Sequence, residues 1–374
     1  MHSTFKSKDL LHIFTPTVRK PFVIAEIGVN HNGSLEIGKD LIVMAKESGA
    51  DAVKFQTFIT EEVVGMNAPL ADYQKRNTIE TSQFDMIKKL ELNIEEFREL
   101  KEFSDKIKIP FLSTGFDVKS CKNVDSLGVT IHKIPSGEIT NGPLIYEISK
   151  FNKPIILSTG MSNLDEIHQA LYVIAQGFLG ANPENFNHKI VKDREHYNET
   201  LSVINNRVAI MHCTSNYPAN SNEINISSVK TLKEEFKLEV GYSDHTLNSI
   251  GAIMGLSLGC TFFEKHVTLN KLSAGPDHAS SSNPEEFRNY IKDIEEAYEV
   301  LGDGIKKATS SELNTKMVAR KSLTAKKKIV EKENFSEDNL CIKRPGTGIS
   351  PMEYWNYIQG GRANKEYKPD DLIS

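Results

Sequence analysis

Side chains that can bind anions stand at the ends of apolar runs throughout the chain. Lysines offer a positive charge to phosphates and carboxylates, and small hydroxyls offer short, directional donors to the same groups. Gly137 and Gly160 lie within two of these clusters and allow a ligand to approach the backbone closely. The pattern predicts a site for a small molecule that carries a phosphate and a carboxylate. Its candidate residues are Lys54, Lys133, Ser136, Ser158, Ser215 and Ser243.

Two histidines, His245 and His266, each follow a short apolar run. If these runs are neighbouring strands, they lie about 5 Å apart, and the two imidazoles can share one divalent ion. Open coordination positions would then be left for water and substrate oxygens. A buried structural histidine or a general base is the alternative for either residue. Asp277, in GPDHASS, is a further candidate, either as a metal ligand or as a partner of a sugar hydroxyl.

Eight short β-rich runs alternate with amphipathic segments, and these elements must position the candidates. Predicted strands cover 22–27, 51–56, 110–114, 130–135, 154–159, 207–213, 238–243 and 260–267, and between them lie amphipathic segments such as 35–48, 95–106, 163–176, 224–236 and 285–301. Eight strands separated by helices over about 285 residues is typical of an α/β protein of the (β/α)8 TIM-barrel type. An open doubly wound sheet has the same alternation and is the alternative.

The barrel interpretation gathers the candidates, because barrel enzymes carry their chemistry at the carboxyl ends of the strands. On the second strand, Lys54 and Gln56 share one face, and on the eighth strand Glu264 and His266 share one face. The same alternation predicts that Lys265 points outside the barrel. A lysine or glutamate in the mouth of a barrel is costly unless it is paired or used. We therefore expect the top of the barrel to be a site.

Composition limits the possible partners. The chain has 374 residues, with 45 Lys and Arg against 50 Asp and Glu and a net charge of -5, so no basic field is available for nucleic acid. The mean hydropathy is -0.37 and the apolar runs are too short to cross a bilayer, so no membrane partner is expected. Four widely spaced cysteines without CxxC spacing, and a first segment without a signal-peptide core, predict a reduced, cytoplasmic protein.

The chain divides by composition into four parts. Residues 1–20 are a polar lead, 21–301 hold the barrel, 302–318 are a polar linker, and 319–374 form a small module. Within the barrel, residues 179–206 are polar and charged and are expected to be a peripheral or partner-facing insert. The final module contains two β-like runs, SLTA and NLCIK, and the turn-forming RPGTGISP. A module of this size is expected to lean on the barrel or on a partner chain.

A series of motifs, in order along residues 21 to 374, makes the sequence resemble the sialic acid synthases, also called N-acetylneuraminate or nonulosonic acid synthases. The motifs are AEIGVNHNG (25–33), ADAVKFQTF (50–58), KIPSGEITN (133–141), LSTGMSN (157–163), HCTSNYP (212–218), GYSDHT (241–246), FEKHVT (263–268), GPDHASS (275–281) and KRPGTGISP (343–351). The ordered set covers both predicted domains, and this order makes the resemblance specific.

The resemblance implies a barrel followed by an antifreeze-like (SAF) domain that caps the partner's barrel in a domain-swapped homodimer. It implies a transferase that condenses phosphoenolpyruvate with an N-acetylated amino sugar, giving a nine-carbon 2-keto acid and phosphate. A divalent ion, Mn2+ or Mg2+, is expected to polarise the sugar aldehyde. N-acetylmannosamine is the first expected acceptor. KIPSGEITN and GPDHASS also resemble the legionaminic branch, which takes a 2,4-diacetamido-6-deoxy sugar, and pseudaminate synthesis is a further alternative.

By motif position, the resemblance also implies roles for individual side chains. The expected catalytic residues are Glu26, Lys54 and Glu138, and Glu138 would orient or activate the water that attacks C2. The metal is expected at His245 and His266. Phosphoenolpyruvate contacts are expected from Lys54, Lys133, Ser136, Ser158, Ser215 and Ser243, and sugar contacts from Glu26, Gln56, Tyr217 and Asp277, with Arg344 of the partner subunit at the N-acetyl group.

Three departures from the family pattern bear on these expectations. Gly115 stands where the family commonly has proline, which predicts a more flexible loop. Ser215 stands where many members have asparagine, and the 179–206 insert is not typical. Two other functions compete with the synthase: a Schiff-base pyruvate aldolase or lyase that uses Lys133, and a non-enzymatic carbohydrate-binding or regulatory protein. The complete set of acidic, basic and imidazole candidates argues against the second of these.

Overall fold

The structure, a computed structural model, describes residues 10–14, 20–70, 74, 78, 80–186 and 194–374. The chain separates into two compact units, with the boundary after Gly302. The strands of the first unit are β1 Phe22–Gly28, β2 Ala52–Thr57, β3 Phe111–Gly115, β4 His132–Ile134, β5 Ile155–Ser158, β6 Val208–Cys213, β7 Glu239–Asp244 and β8 Phe262–His266.

These strands form a closed barrel in chain order, and each neighbouring pair is parallel. The finding confirms the predicted (β/α)8 architecture and excludes the open sheet, because an open doubly wound sheet does not keep its strands in chain order. The observed strand bounds differ from the predicted ones by two residues at most. The carboxyl ends of all eight strands therefore meet at one mouth of the barrel.

Helices surround the barrel. Those of the first unit, within the described residues, are Leu35–Glu47, Thr60–Val63, Gln83–Lys88, Ile94–Ile107, Val118–Ser126, Gly142–Lys150, Leu164–Leu179, Arg194–Ile204, Ser228–Phe236, Ile250–Ser257 and Pro284–Leu301. Thr60–Val63 and Gln83–Lys88 lie in the long connection after β2, where sequence analysis predicted no element. Across the described part of the chain, no helix combines the length and the apolar character needed to cross a bilayer.

Local sequence explains where several barrel helices begin. Asn93, Asn163 and Asn283 each form a capping box, in which the asparagine side chain accepts a backbone N–H and a glutamate three residues later accepts the asparagine N–H. In Leu164–Leu179, the residues Ile167, Leu171 and Ile174 recur on one face and are buried. That apolar stripe holds the helix against the outside of the barrel.

The lower end of the barrel is closed by the short 3-10 helix Leu10–Phe14. Its Leu10, Ile13 and Phe14 pack with inward-facing strand residues that include Phe22 and Phe262. The predicted polar lead 1–20 is thus wrong for residues 10–14, which belong to the barrel core, while 1–9 and 15–19 lie outside the described residues. Three apolar residues in a five-residue run are too few to give a recognisable period.

Part of the predicted insert 179–206 belongs to the helical layer. Within Arg194–Ile204, the ring of Tyr197 packs edge-on against His168 and Phe236, and its hydroxyl donates a 2.6 Å hydrogen bond to the Phe236 carbonyl. Ile204 is fully buried. This helix is therefore packed on the barrel instead of forming a separate peripheral loop. Residues 187–193 of the insert lie outside the described residues.

The predicted flexibility at Gly115 is also wrong. Gly115 is the last residue of β3, and a Cβ there would come within 2.6 Å of the Cys121 Sγ and 2.9 Å of the Cys121 backbone nitrogen. The helix Val118–Ser126 approaches the strand so closely that a side chain has no room. The glycine is required by packing and does not mark a loose loop.

The second unit has its own small core. Its strands β9 Ser322–Ala325 and β10 Leu340–Lys343 pair antiparallel, and the β-like run SLTA coincides with β9. Leu323, Ile329, Phe335 and Tyr367 are buried between the strands and the surrounding turns. The helices are Glu312–Ala319 and Tyr354–Ile358.

Helix Glu312–Ala319 lies within the stretch 302–318 that sequence analysis predicted to be a linker. The helix buries no residue, so it lacks the apolar stripe that marks a packed helix in a sequence. The Glu312 carboxylate accepts hydrogen bonds from the backbone N–H and the hydroxyl of Thr309, which fixes the first turn.

Candidate active site

A cavity of about 340 Å3 opens at the carboxyl ends of the strands. The structure brings most of the predicted site residues together there. Those that line it are Glu26, Lys54, Gln56, Lys133, Ser136, Ser158, Ser215, Tyr217, Ser243, His245 and His266. Strand alternation explains the gathering, because inward positions on successive strands of a barrel share one interior.

A network of buried charges forms the floor of this cavity. The Lys54 ammonium lies 2.6 Å from the Glu26 carboxylate and 3.6 Å from the Glu264 carboxylate. Lys133 donates hydrogen bonds of 3.0 and 3.1 Å to the two carboxylate oxygens of Glu264. All four side chains are at least 95% buried. The ammonium groups of Lys54 and Lys133 are therefore positioned to bind an anion where bulk water is excluded.

The surroundings shift the pKa values of these groups in opposite directions. Burial raises the pKa of Glu26 to about 7, although the Lys54 ammonium opposes the shift. Burial would also raise the pKa of Glu264, but Lys133 and Lys54 outweigh it and hold that pKa well below its ordinary value. Two carboxyls with separated pKa values are the usual arrangement when one moves a proton and the other stays ionised.

Sequence analysis placed Glu264 in the mouth but gave it no role, and here the structure adds a functional residue. Glu264 joins Lys133 and Lys54, and it accepts a 3.0 Å hydrogen bond from the Ser243 hydroxyl. The signal that could have found it was already present, since Glu264 shares its strand face with His266. What the sequence does not contain is the distance to Lys133, which lies 131 residues earlier in the chain.

The rings of His245 and His266 lie side by side, with their centroids 5.5 Å apart. Tyr217 covers both, at 4.3 Å from the first ring and 5.4 Å from the second. Burial lowers the pKa of His245 to about 4 and the pKa of His266 well below its usual range, so both rings are neutral at neutral pH. A neutral imidazole is the form that binds a metal ion.

Hydrogen bonding leaves ring nitrogens available for such an ion. The Nδ1 of His245 lies 2.6 Å from the Thr214 carbonyl oxygen, which fixes the proton on Nδ1 and a lone pair on Nε2. The Nε2 is 3.2 Å from the Ser243 hydroxyl, and the Nδ1 of His266 is buried without a hydrogen-bond partner. In the described residues, no third His, Cys, Asp or Glu completes a ligand group. The pair suits a divalent ion whose other ligands are water and substrate.

Small residues form a cradle beside the charges. The Ser136 hydroxyl accepts a 3.0 Å hydrogen bond from the Gly160 backbone N–H, and it lies 3.0 Å from the Cys213 sulfur. A Cβ on Gly160 would lie 2.4 Å from the Ser215 hydroxyl oxygen and 2.8 Å from that of Ser136. At Gly160, side chains of the protein itself occupy the space that a Cβ would need. At Gly137, by contrast, a Cβ would meet nothing within 4 Å.

A second cavity, of about 380 Å3, adjoins the first, and the two share Gln56, Phe116, Tyr217 and His266. Asp277 lines it, and burial raises the pKa of its carboxyl to about 6. The same cavity has an apolar wall, most of it from the connection after β2. The apolar wall consists of Val29, Phe58, Val63, Val64, Met86, Ile87, Leu90 and Phe116.

One predicted residue of the first unit, Glu138, lines neither cavity. Glu138 ends the 3-10 turn Ser136–Glu138, and its carboxylate accepts a 2.7 Å hydrogen bond from the Asn141 side chain. Arg344 lies in the second unit, where it is exposed and donates a 3.0 Å hydrogen bond to the Ala319 carbonyl.

Comparison with known proteins identifies relatives of this chain. A sequence model of the NeuB family matches residues 41–306. The chain is 44% identical to the N,N'-diacetyllegionaminic acid synthase of Campylobacter jejuni, over 95% of this chain and 99% of that protein. It is 41% identical to the protein of the same name from Legionella pneumophila, over 90% of this chain and 89% of that one.

A solved structure is also similar. The N-acetylneuraminic acid synthetase of Leptospira borgpetersenii, crystallised with citrate, has a TM-score of 0.65 and 28% identity, and the match covers 80% of this chain and 90% of that one. The family model spans most of the chain, and its matched range contains every residue that lines the two cavities except Glu26 and Val29. The chain belongs to the NeuB family.

Proposed function

We propose that this chain is a synthase that condenses phosphoenolpyruvate with an open-chain N-acetylated amino sugar, and that its preferred acceptor is a 2,4-diacetamido-2,4,6-trideoxy sugar. The observation that carries the proposal is the pair of adjoining cavities. Two buried lysines line the first cavity, and the second cavity is lined both by polar side chains and by the apolar wall. The names of the Campylobacter and Legionella relatives point to the same acceptor.

Phosphoenolpyruvate fits the first cavity by charge. Its phosphate and carboxylate need several positive or hydrogen-bonding partners, which Lys54, Lys133 and the hydroxyls of Ser136, Ser158 and Ser243 can supply. Ser215 stands beside Gly160 and can add a further donor. Because Glu264 already pairs with both lysines, their ammonium groups remain charged and in place before the ligand binds.

His245 and His266 would hold the divalent ion, Mn2+ or Mg2+. When bound there, such an ion supplies Lewis-acid chemistry, which makes an aldehyde carbon electrophilic without proton transfer. The neutral rings, the fixed tautomer of His245 and the buried, unpartnered Nδ1 of His266 support this assignment.

The carbon chemistry then follows in balanced steps. C3 of phosphoenolpyruvate bonds to the aldehyde carbon, the aldehyde oxygen gains a proton, and C2 becomes an oxocarbenium-like centre. Water adds to C2 and loses one proton, and cleavage of the C2–O bond then releases phosphate, which takes the remaining hydroxyl proton and leaves the 2-keto acid. Glu26, with its pKa of about 7, can transfer these protons near neutral pH, and the ionised Glu264 stabilises the positive centre.

Glu138 remains part of the proposal as the residue that orients the attacking water. This role requires its carboxylate to leave Asn141 and turn toward Ser136, which already lines the cavity. A crystal structure with phosphoenolpyruvate tests this directly: we expect the Glu138 carboxylate within hydrogen-bond distance of a water near C2. A carboxylate that stays on Asn141 in that complex removes Glu138 from the catalytic set.

The second cavity suits the acceptor. Gln56, Tyr217 and Asp277 can bind hydroxyl or amide groups, while the apolar wall can bury methyl groups. A 6-deoxy sugar with two acetamido groups presents three methyl groups, whereas N-acetylmannosamine presents one and adds a hydroxyl at C6. Burying a hydroxyl against the apolar wall without a partner costs free energy, so the deoxy sugar is the better fit.

The experiment is phosphate release from phosphoenolpyruvate in the presence of Mn2+, with the two acceptors offered in parallel. We expect release with 2,4-diacetamido-2,4,6-trideoxymannose, little with N-acetylmannosamine, and none after addition of a chelator. Release with N-acetylmannosamine alone would make the protein an N-acetylneuraminate synthase. Release with neither would contradict the proposed reaction.

For the assembly, we propose that the second unit is an antifreeze-like SAF domain whose Arg344 completes the site of a partner subunit in a homodimer. Two observations support a partner: Arg344 is exposed, and the surface near the helix Ile250–Ser257 exposes Leu247, Ile250 and Met254. We place the protein in the cytoplasm, and the four free cysteines fit a reducing compartment.

A further inference from the structure

A buried ion pair lies behind the wall that carries the two histidines. Asp244 and Lys265 are register partners across β7 and β8, and the Lys265 ammonium lies 3.4 Å from the Asp244 carboxylate. The two residues are 1% and 2% exposed. Sequence alternation correctly placed Lys265 on the outer face of the barrel, but the surrounding helices bury it, so it is not a solvated surface lysine.

Each member of this pair directly precedes one of the histidines. Asp244 comes before His245, and Lys265 comes before His266. Because successive side chains of a strand point to opposite faces, the pair faces outward where the imidazoles face the cavity. The ion pair and the imidazole pair therefore lie on opposite faces of the same segment of the barrel wall.

The pair also fastens the loop that follows β7. One carboxylate oxygen of Asp244 accepts hydrogen bonds of 2.9 Å from the Thr246 backbone N–H and 2.8 Å from the Thr246 hydroxyl. The Lys265 ammonium donates a 2.5 Å hydrogen bond to the Thr246 carbonyl and lies 4.9 Å from the centre of the Tyr290 ring. Thr246, which follows His245, is therefore hydrogen-bonded to side chains of both β7 and β8.

An apolar pair could pack the same space at a lower desolvation cost, because burying two charges is expensive. Directed charges differ from apolar contacts in that they fix the relative position of the groups that carry them. The best-attested use of a buried polar pair is to set register in this way. Here the register being set is that of the two strand ends whose imidazoles lie 5.5 Å apart.

We propose that Asp244 and Lys265 are positioning residues that set the spacing of His245 and His266 from behind the barrel wall. Neither side chain lines either cavity, so neither is a catalytic residue. The expected effect on Mn2+ affinity rests on the proposed metal site, whereas the expected effect on the ring spacing does not. The spacing itself can be measured without metal.

The test uses the double variant Asp244→Asn/Lys265→Met, which removes both charges, leaves no unpaired ion and retains an amide oxygen for Thr246. In a crystal structure of the metal-free variant, we expect the ring distance to depart from 5.5 Å by more than about 0.5 Å, or the rings to adopt two conformations. By calorimetry, Mn2+ affinity should fall about 10- to 100-fold, as for other residues that orient metal ligands, while phosphoenolpyruvate affinity is unchanged.

The matched control is Lys271→Met, which removes a 3.0 Å ion pair with Glu286 just beyond β8 without touching the loop. It should leave the ring spacing and the Mn2+ affinity as in the unmodified protein. A double variant with the original spacing and affinity overturns the proposal. If that variant does not fold, Thr246→Val, which removes the hydroxyl hydrogen bond to Asp244 and leaves the ion pair intact, gives the same test with the same opposing outcomes.

The two proposals can fail separately. An unmodified protein that binds no Mn2+ contradicts the metal site in the proposed function, and the ring distances still decide the positioning role. Conversely, tight Mn2+ binding in both unmodified and variant proteins supports the metal site and contradicts the positioning role.

Discussion

Lys133 donates one hydrogen bond to each carboxylate oxygen of Glu264, at 3.0 and 3.1 Å, so a lysine of β4 and a glutamate of β8 meet across the interior of the barrel. Burial lowers the pKa of Lys133, which by itself would suit a Schiff-base nucleophile. The two charge-assisted bonds argue otherwise, because they hold the nitrogen as an ammonium that can bind an anion but not attack a carbonyl.

This arrangement separates the synthase from a pyruvate aldolase. Treatment with borohydride in the presence of pyruvate should leave the chain unlabelled, as measured by mass spectrometry of the intact protein, since no Schiff base forms for reduction. Lys133→Met should abolish phosphoenolpyruvate binding in a direct titration. A reduced pyruvate adduct that disappears in Lys133→Met would instead establish the aldolase.

Gly160→Ala tests the cradle for phosphoenolpyruvate. The added Cβ would come within 2.4 Å of the Ser215 hydroxyl and 2.8 Å of the Ser136 hydroxyl, so both must move. We expect KM for phosphoenolpyruvate to rise about tenfold or more, the effect of losing one or two charge-assisted hydrogen bonds, with little change in KM for the sugar. Gly142→Ala is the control, because a Cβ there meets nothing within 4 Å. Equal effects of both variants would contradict the cradle.

Met86→Gln tests the apolar wall. Glutamine has a similar length but brings an amide that must be desolvated when methyl groups occupy the cavity. The variant should raise KM for the diacetamido trideoxy sugar about tenfold, because one polar group is then buried without a good partner. KM for phosphoenolpyruvate should stay unaltered. Met66→Gln is the control, since Met66 lies in the same connection but is 76% exposed and outside the cavity. A rise in KM for phosphoenolpyruvate, with KM for the sugar unchanged, would show that the apolar wall does not contact the acceptor.

Asp277 gives a prediction about pH and stability. Burial raises its pKa in the folded protein from 3.8 to about 6, so the folded state retains a proton that the unfolded chain has already lost. The stabilisation that comes from the protonated form is present below pH 4 and is lost as the pH rises through 6. Two pKa units correspond to about 3 kcal/mol.

Asp277→Asn should therefore unfold at a higher free energy than the unmodified protein at pH 7.5, by up to about 3 kcal/mol, and the difference should vanish near pH 4. Urea unfolding across this range measures it. The same variant should bind the sugar less well, because the ionised carboxylate accepts hydroxyl donors that the amide cannot match. A stability difference that does not depend on pH would show that the carboxyl is not held protonated.

Complementation tests the proposed exchange of Arg344 between subunits. Lys133→Met should inactivate the first unit of a chain, and Arg344→Ala should impair the second unit. If Arg344 serves the partner's site, mixed dimers restore one complete site, so mixing two nearly inactive variants should recover phosphate release. If Arg344 serves its own chain, mixing restores nothing. Light scattering on the unmodified protein provides the independent check that a dimer exists.

The sequence predicted the barrel because its information is periodic and local. Strand and helix runs alternate eight times, and period-two alternation placed Lys54 and Gln56 on one face, as the structure confirms. The pairing of Lys133 with Glu264 could not be predicted in this way. It depends on which inward positions of distant strands stand at the same height, and that is decided by the tilt and stagger of the whole barrel.

Glu138 shows a second limit of sequence reasoning. It lies two positions after Ser136, and its expected role followed from its place in the motif KIPSGEITN. In a 3-10 turn, however, consecutive side chains are about 120° apart, so Ser136 faces the cavity while Glu138 meets Asn141. The helix Leu10–Phe14 is a similar case, since no local pattern reveals that five residues fit the end of a barrel.

That helix has a consequence for how the protein can change over time. By filling the lower opening with Leu10, Ile13 and Phe14, the chain adds apolar burial at the opposite end of the barrel from its chemistry. Each buried apolar side chain contributes about 1.5–3 kcal/mol there. Mutations that reshape the mouth for a new acceptor sugar can therefore be offset at the base of the barrel. Stability and substrate choice can evolve as nearly separate traits.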